Sequence, residues 1–138
     1  MAPSLELGEN EDEQELINDL RHELNYICRN PVRASILHML IRSGEVNHAL
    51  SAEEIARKTG KRHSVVIYHL EQLHNWQLVG VVKLTGYGFK QRRSIWGLNL
   101  KYPNLVKEVY GYLLKTFYTA KDLDSMCNVN KNVRKSPV

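Results

Sequence analysis

The sequence predicts a mainly α-helical chain with one small β-hairpin, an α+β fold. Three observations carry this reading. Apolar residues recur every three or four positions in most segments. Ser51-Ala-Glu-Glu54 is a capping box, and Thr59-Gly60 closes the short helix that it opens. After Gln77 the helical period gives way to the valine-rich stretch Leu78–Leu84, followed by the turn signal Thr85-Gly86-Tyr87-Gly88.

Residues 1–11 hold Pro3, Gly8 and several acids with no apolar period, and are expected to form a flexible acidic tail. From Asp12, Leu16, Leu20, Leu24 and Ile27 make one helical stripe. Asn30-Pro31 breaks it, and Pro31 opens a second helix whose buried face is Ile36, Leu37, Leu40 and Ile41. Val46–Leu50 reads as a connector or edge strand. Ala52–Thr59 is the short capped helix. A further helix runs from about Arg62 to Asn75, with Val66, Leu70 and Leu73 inward. Arg93–Leu98 returns the hairpin. Pro103 to about Tyr118 forms a last helix with Leu105, Val109, Leu113 and Phe117 along one side. The expected organisation is a tail (1–11), one domain (12–118) and a basic C-terminal tail (119–138).

Helix, short capped helix, tight turn, second helix and hairpin, in that order, make a winged helix-turn-helix with flanking N- and C-terminal helices. In that arrangement the short helix braces the next one, whose exposed start can enter the major groove of duplex DNA. The residues there are Lys61, Arg62, His63 and Ser64, with Tyr68 one turn on. The hairpin tip carries Lys90, Arg92 and Arg93 beside Tyr87 and Phe89. Bases at both places can displace counterions from a phosphate backbone. The competing reading makes them solvated surface charges, and the fold pattern favours contact. His69 and His74 are expected to be structural, at the junction of helix and hairpin.

The net charge of +4 is unevenly spread. Residues 1–24 carry eight acids against one base, a net −7, which leaves +11 for the rest. A basic body behind an acidic leader suits a polyanion partner. The two cysteines, Cys28 and Cys127, lie far apart, so neither a CxxC knuckle nor a disulfide framework is expected. His22, His38 and His48 lack metal-site spacing. No metal, no cofactor, no membrane span and no signal peptide are expected, and the location is read as cytoplasmic. No GxSxG, P-loop or HExxH occurs, and the carboxylates crowd the leader, so an enzyme is not expected.

The stretch Asn30–Asn99 resembles the ArsR-like winged-helix regulators of archaea and bacteria. The matching residues are Asn30-Pro-Val-Arg-Ala-Ser-Ile-Leu37, Ser51-Ala-Glu-Glu-Ile-Ala56, and Tyr68-His-Leu-Glu-Gln-Leu73 followed by Leu78-Val79. The resemblance implies a homodimeric transcription regulator that binds double-stranded DNA and pairs through its first and last helices. Leu16, Leu20, Leu24, Val109, Leu113 and Phe117 are the candidate dimer residues. Metal-sensing members carry a cysteine pair at the short helix. Here that region reads His48-Ala-Leu-Ser-Ala-Glu-Glu, which argues against metal sensing. The cap of the recognition helix falls on Arg62, a poor capping residue. The alternative function is a winged-helix adaptor that binds components of the transcription machinery, suggested by the acidic leader and the aromatic last helix.

Overall fold

The structure, a computed structural model, describes residues 2–45, 49–85 and 93–127. In chain order the elements are α1 (Ala2–Leu20), α2 (Leu24–Cys28), α3 (Pro31–Glu45), β1 (Leu50–Ser51), α4 (Ala52–Thr59), α5 (His63–Asn75), β2 (Val79–Thr85), β3 (Arg93–Leu98), α6 (Pro103–Thr116) and α7 (Ala120–Cys127). The strands form one antiparallel sheet in the order β1-β3-β2. The run α3-β1-α4-α5-β2-β3 is a winged helix-turn-helix, preceded in the chain by α1 and α2 and followed by α6 and α7. The expected fold class is therefore the observed one.

The N-terminal segment departs from the sequence reading. The helix begins at Ala2, where a flexible tail was expected through residue 11. Leucine and glutamate are strong helix formers, and the crowding of acids hides that propensity from a reading based on apolar period. Nor is the helix continuous to Cys28. It stops at Leu20, where the Glu23 amide donates to the Leu20 carbonyl at 2.8 Å, and α2 resumes at Leu24. The buried row is Glu13, Ile17, Leu20, Leu24 and Ile27, with Leu16 only half-buried.

Glu13 is the unexpected member of that row. Its Oε2 accepts from the backbone amides of Asn104 (2.7 Å) and Leu105 (3.1 Å), and its Oε1 accepts from Asn104 Nδ2 (3.0 Å). These amides belong to the first turn of α6, which Tyr102 leaves without a side-chain cap. A carboxylate from α1 thus caps α6 across the helix interface and complements its dipole.

Asn30 caps α3 locally: its Oδ1 accepts from the amides of Val32 and Arg33, both at 3.0 Å. Pro31 occupies the first helical position, where no amide hydrogen is needed. Arg33 is buried; its Nη1 donates to the Tyr26 carbonyl at 3.0 Å. Its guanidinium lies 5.1 Å from the ring centroids of both Tyr26 and Trp76. One cation thereby joins α2, α3 and the end of α5.

The chain turns from α5 into β2 through Gln77, a non-glycine residue at φ 67°. Asn99 Nδ2 donates to the Gln77 carbonyl at 2.9 Å and holds this turn against the end of β3. Between Val81 and Lys83 the β2–β3 register shifts, so Val82 is an extra residue in a bulge. A Cβ on Gly97 would lie 3.1 Å from a Val82 methyl, so the glycine leaves room for it.

The last helix was not expected. Residues 119–138 read as a basic tail, yet Ala120–Cys127 form α7. Thr119 and Asp122 cap it reciprocally: the Thr119 amide donates to Asp122 Oδ2, and the Asp122 amide to Thr119 Oγ1, each at 3.0 Å. The paired backbone bond holds the Asp122 carboxyl below the usual carboxylate range. Leu123 is fully buried. Asp124 contacts the buried His38 at 2.8 Å and Arg42 at 3.1 Å. The other nitrogen of His38 meets Tyr110 Oη at 2.6 Å, so a single imidazole links α3, α6 and α7.

Glu13→Ala leaves two amides of α6 without their acceptor and is expected to cost about 2–4 kcal/mol. Glu13→Gln retains one acceptor oxygen and should cost less. Urea midpoints of the two variants against the parent check both the sign and the order.

Candidate nucleic-acid interface

The exposed face of α5 is set by what its other face buries. Val66, Leu70 and Leu73 have no accessible surface, and they pack within the core that α3 and α4 share. Burial of each contributes about 1.5–3 kcal/mol, so the helix cannot roll to present another side. Ser64, Tyr68 and Glu71, at spacings of four and three, are left outward.

The preceding elements fix where α5 begins. The capping box forms as the sequence predicts: the Glu54 amide donates to Ser51 Oγ at 3.1 Å, and the Ser51 amide to Glu54 Oε1 at 3.0 Å. Gly60 ends α4 at φ 71°, and its amide donates to the Ala56 carbonyl at 2.9 Å. Three residues later, at His63, α5 starts. Arg62 takes the N-cap position with extended geometry, and its side chain gives no acceptor to the first turn. The amides at that end face outward with the positive end of the helix dipole, an arrangement suited to a phosphate oxygen.

Lys61, Arg62, His63 and Ser64 are all exposed, as is Tyr68 at 51%. The structure thus brings together the five site residues predicted for the helix. Of the three predicted for the hairpin, Lys90 and Arg92 lie outside the described residues, as do Gly86–Gly88, Tyr87 and Phe89. Arg93 begins β3 with its backbone opposite Thr85. Among the described residues, sequence reasoning missed three exposed groups at the same place. Arg57 and Lys58 lie in the last turn of α4, and with Lys61 and Arg62 they place four bases around the Gly60 turn. Glu71 puts a carboxylate on the row of Ser64 and Tyr68. The 64-68-71 spacing was the available signal for it.

Beneath Tyr68 lies His69, whose ring meets the tyrosine edge-on at 5.1 Å between centroids. His69 is buried, and its Nδ1 has no partner. Burial, and secondarily the Arg33 charge, pulls its pKa below the usual 6.5. His74 donates Nδ1–H to the Val79 carbonyl at 3.0 Å, at the junction of helix and hairpin.

The predicted dimer residues need correction. Leu20, Leu24, Val109 and Leu113 are buried within the single chain, where α1 and α2 pack on α6. A second copy could bury little more of them. Leu16 and Phe117 are only half-buried and keep accessible surface. Cys28 is likewise internal; its Sγ contacts the Val109 carbonyl at 3.6 Å, and burial raises its pKa to about 12.

No protein-family model matches the chain, and no curated protein matches it. Among solved structures it is similar to MepR of Staphylococcus aureus, a transcription regulator of the multidrug efflux pump MepA. The identity is 18%, over 99% of this chain and 91% of that one, with a TM-score of 0.46. It is also similar to ZitR of Lactococcus lactis in complex with DNA, at 17% identity over 94% and 97%, with a TM-score of 0.40. Both likenesses are distant.

His69 supplies a pH dependence with a definite sign. Its folded pKa is lowered, so above about 6.5 both folded and unfolded forms are neutral and it contributes nothing to the slope. As pH falls below that value the unfolded chain takes up a proton that the folded chain resists, and stability drops until the folded pKa is passed. Urea midpoints between about pH 7 and pH 5 should fall in the parent. In His69→Phe that part of the fall should vanish.

Proposed function

We propose that the chain is a sequence-specific, double-stranded DNA-binding transcription regulator that acts as a homodimer. The observation that carries this reading is the start of α5. Lys61, Arg62, His63 and Ser64 stand exposed at the start of a helix whose opposite face is fully buried and whose first residue is fixed by the Gly60 turn. In this reading α5 lies in the major groove, and Lys90, Arg92 and Arg93 bring the hairpin to the backbone or the minor groove. Lys61 and Arg62 supply phosphate contacts, and His63, Ser64 and Tyr68 approach base edges or sugars. Glu71 adds discrimination, since a carboxylate is repelled by phosphate but accepts from the amino group of cytosine.

Half-buried apolar residues support pairing: Tyr112 and Leu114 on α6 and Phe117 at its C-terminal cap, together with Leu16 on α1. Two-fold symmetry then requires inverted half-sites about one helical turn apart, or a multiple of it.

The second reading, an adaptor that recruits or bridges transcription components, is favoured by α1. Its residues Glu11, Asp12, Glu15 and Asp19 are exposed and offer an acidic face to a basic partner. A pull-down that yields a stable partner, with no sequence preference in selected DNA, would favour it over the first.

Selection of bound fragments from the source genome, followed by fluorescence titration against salt, tests the main reading. Lys61→Ala and Arg62→Ala should weaken binding to all sequences and each lower the slope of log affinity on log salt by about 1. Glu71→Ala should tighten binding to mixed-sequence DNA while narrowing the gap between selected and unselected sites. Unchanged affinity in all three variants would remove α5 from the interface. Sedimentation equilibrium should give twice the chain mass, and Phe117→Lys should shift it towards the monomer.

A further inference from the structure

The cation–π contacts among the described residues gather where α2, the end of α5 and the turn from β3 into α6 meet. The Arg33 guanidinium is 5.1 Å from the ring centroids of both Tyr26 and Trp76, that of Arg29 is 5.8 Å from Tyr26, and the Lys101 ammonium is 5.3 Å from Tyr102. Tyr26 and Trp76 meet edge-on at 6.0 Å between centroids. Trp76 leads into Gln77, whose carbonyl accepts from Asn99 Nδ2, so the groups on α2 and on the β3–α6 turn are joined into one surface. Because α5 is 13 residues long, this surface lies at its far end, ~20 Å from the basic start.

Leu100 stands out from that surface. It is 82% exposed, the most of any large apolar side chain among the described residues. Its turn is nonetheless fixed. The Lys101 amide donates to Asn99 Oδ1 at 3.1 Å, and the Tyr102 amide donates to the Asn99 carbonyl at 3.3 Å. Polar residues, glycine and proline are usual at such a turn, and a leucine there adds nothing to the core. Beside it Tyr26 is 47% exposed. The rim of this apolar surface is basic. Arg29 and Lys101 are exposed, Arg33 lies beneath, and Glu23 is the one acid in residues 22–33, 76–77 and 99–102. Glu13, near the start of α6, is engaged with the amides of Asn104 and Leu105.

Single-stranded nucleic acid would need open ring faces for its bases. Here the chain's own cations lie over Tyr26, Trp76 and Tyr102. An apolar knob among fixed positive charges suits apolar side chains interleaved with carboxylates. We propose that this surface docks an acidic, amphipathic segment of a partner protein. The proposal goes beyond the DNA-binding reading and uses none of its residues, so either can fail alone. It is distinct from the adaptor reading, in which α1 offers acids to a basic partner.

The test begins with random peptides displayed on phage, selected on the full chain and counter-selected on the double variant Leu100→Ala, Lys101→Glu. Both side chains are exposed, so the urea midpoint of that variant should match the parent. The surviving peptides should mix Asp or Glu with Leu, Phe or Trp. A fluorescein-labelled synthetic copy of the most enriched peptide should bind the parent saturably. Leu100→Ala and Arg29→Glu should each weaken it about tenfold or more, and Lys61→Ala should leave it unchanged. The proposal is overturned if no peptide is enriched over the double variant or if the enriched peptides lack acids. It is also overturned if Lys61→Ala, and not Leu100→Ala, weakens the labelled peptide, which would place the peptide on the start of α5. Labelled single-stranded DNA that binds the parent and not the double variant would make the surface a nucleic-acid site. A shift of Leu100→Ala towards the monomer in sedimentation would show a second copy covering it. Either of these results also overturns the proposal.

Discussion

Val66, Leu70 and Leu73 leave no surface to water, and the orientation of every exposed group on α5 follows from that fact. A helix with one fully dry face has a single rotational setting. The Gly60 turn then fixes its start and the Gln77 turn its end. Between these limits Ser64, Tyr68 and Glu71 can only point outward. The surrounding elements serve this clamp: α3 and α4 line it, and Arg33 closes its far end by stacking on Trp76.

Polar groups, more than apolar ones, decide how the flanking helices sit. Apolar contact between α1 and α6 would tolerate sliding, because dispersion has little directional preference. Glu13 removes that freedom with its bonds to Asn104 and Leu105. His38 does the same for α7 through two opposed ring nitrogens, each of which demands a partner in a fixed direction. The exposed Arg42–Asp124 pair adds little energy of its own. The buried imidazole matters more, since an unpartnered nitrogen there would cost more than the bond returns.

Local chemistry was legible in the sequence. Ser51 with Glu54, Gly60, and Asn30-Pro31 each act within four residues, and each is found where the pattern placed it. Contacts between distant residues were not legible. No spacing rule connects Glu13 to Asn104, so one of the eight leader acids looked like the other seven. The apolar excess of α6 was legible, but its most buried residues were assigned to the wrong neighbour. Val109 and Leu113 are covered by α1 and α2 of the same chain, and a second copy was the simpler guess for a helix rich in aromatics. The α7 helix was hidden by composition. Its signal, Thr119 with Asp122 ahead of Leu123 and Met126, sat at the start of a stretch whose bases suggested an unstructured tail. On the candidate interface, the basic start of α5 announced itself through charge. Glu71 did not, because a carboxylate runs against the sign expected of such a surface.

The bulge at Val82 bears on the behaviour of the protein in concentrated solution. With the strand order β1-β3-β2, β2 is an edge strand, and its Val81 and Val82 side chains are 45% and 54% exposed. An exposed, valine-rich edge is the usual template for strand addition by another molecule, and hence for aggregation. The extra residue breaks the regular spacing of outward amides and carbonyls, so an incoming strand cannot pair along the full edge. The bulge thus keeps a short apolar strand from becoming a polymerisation seed, at the cost of a few ladder bonds.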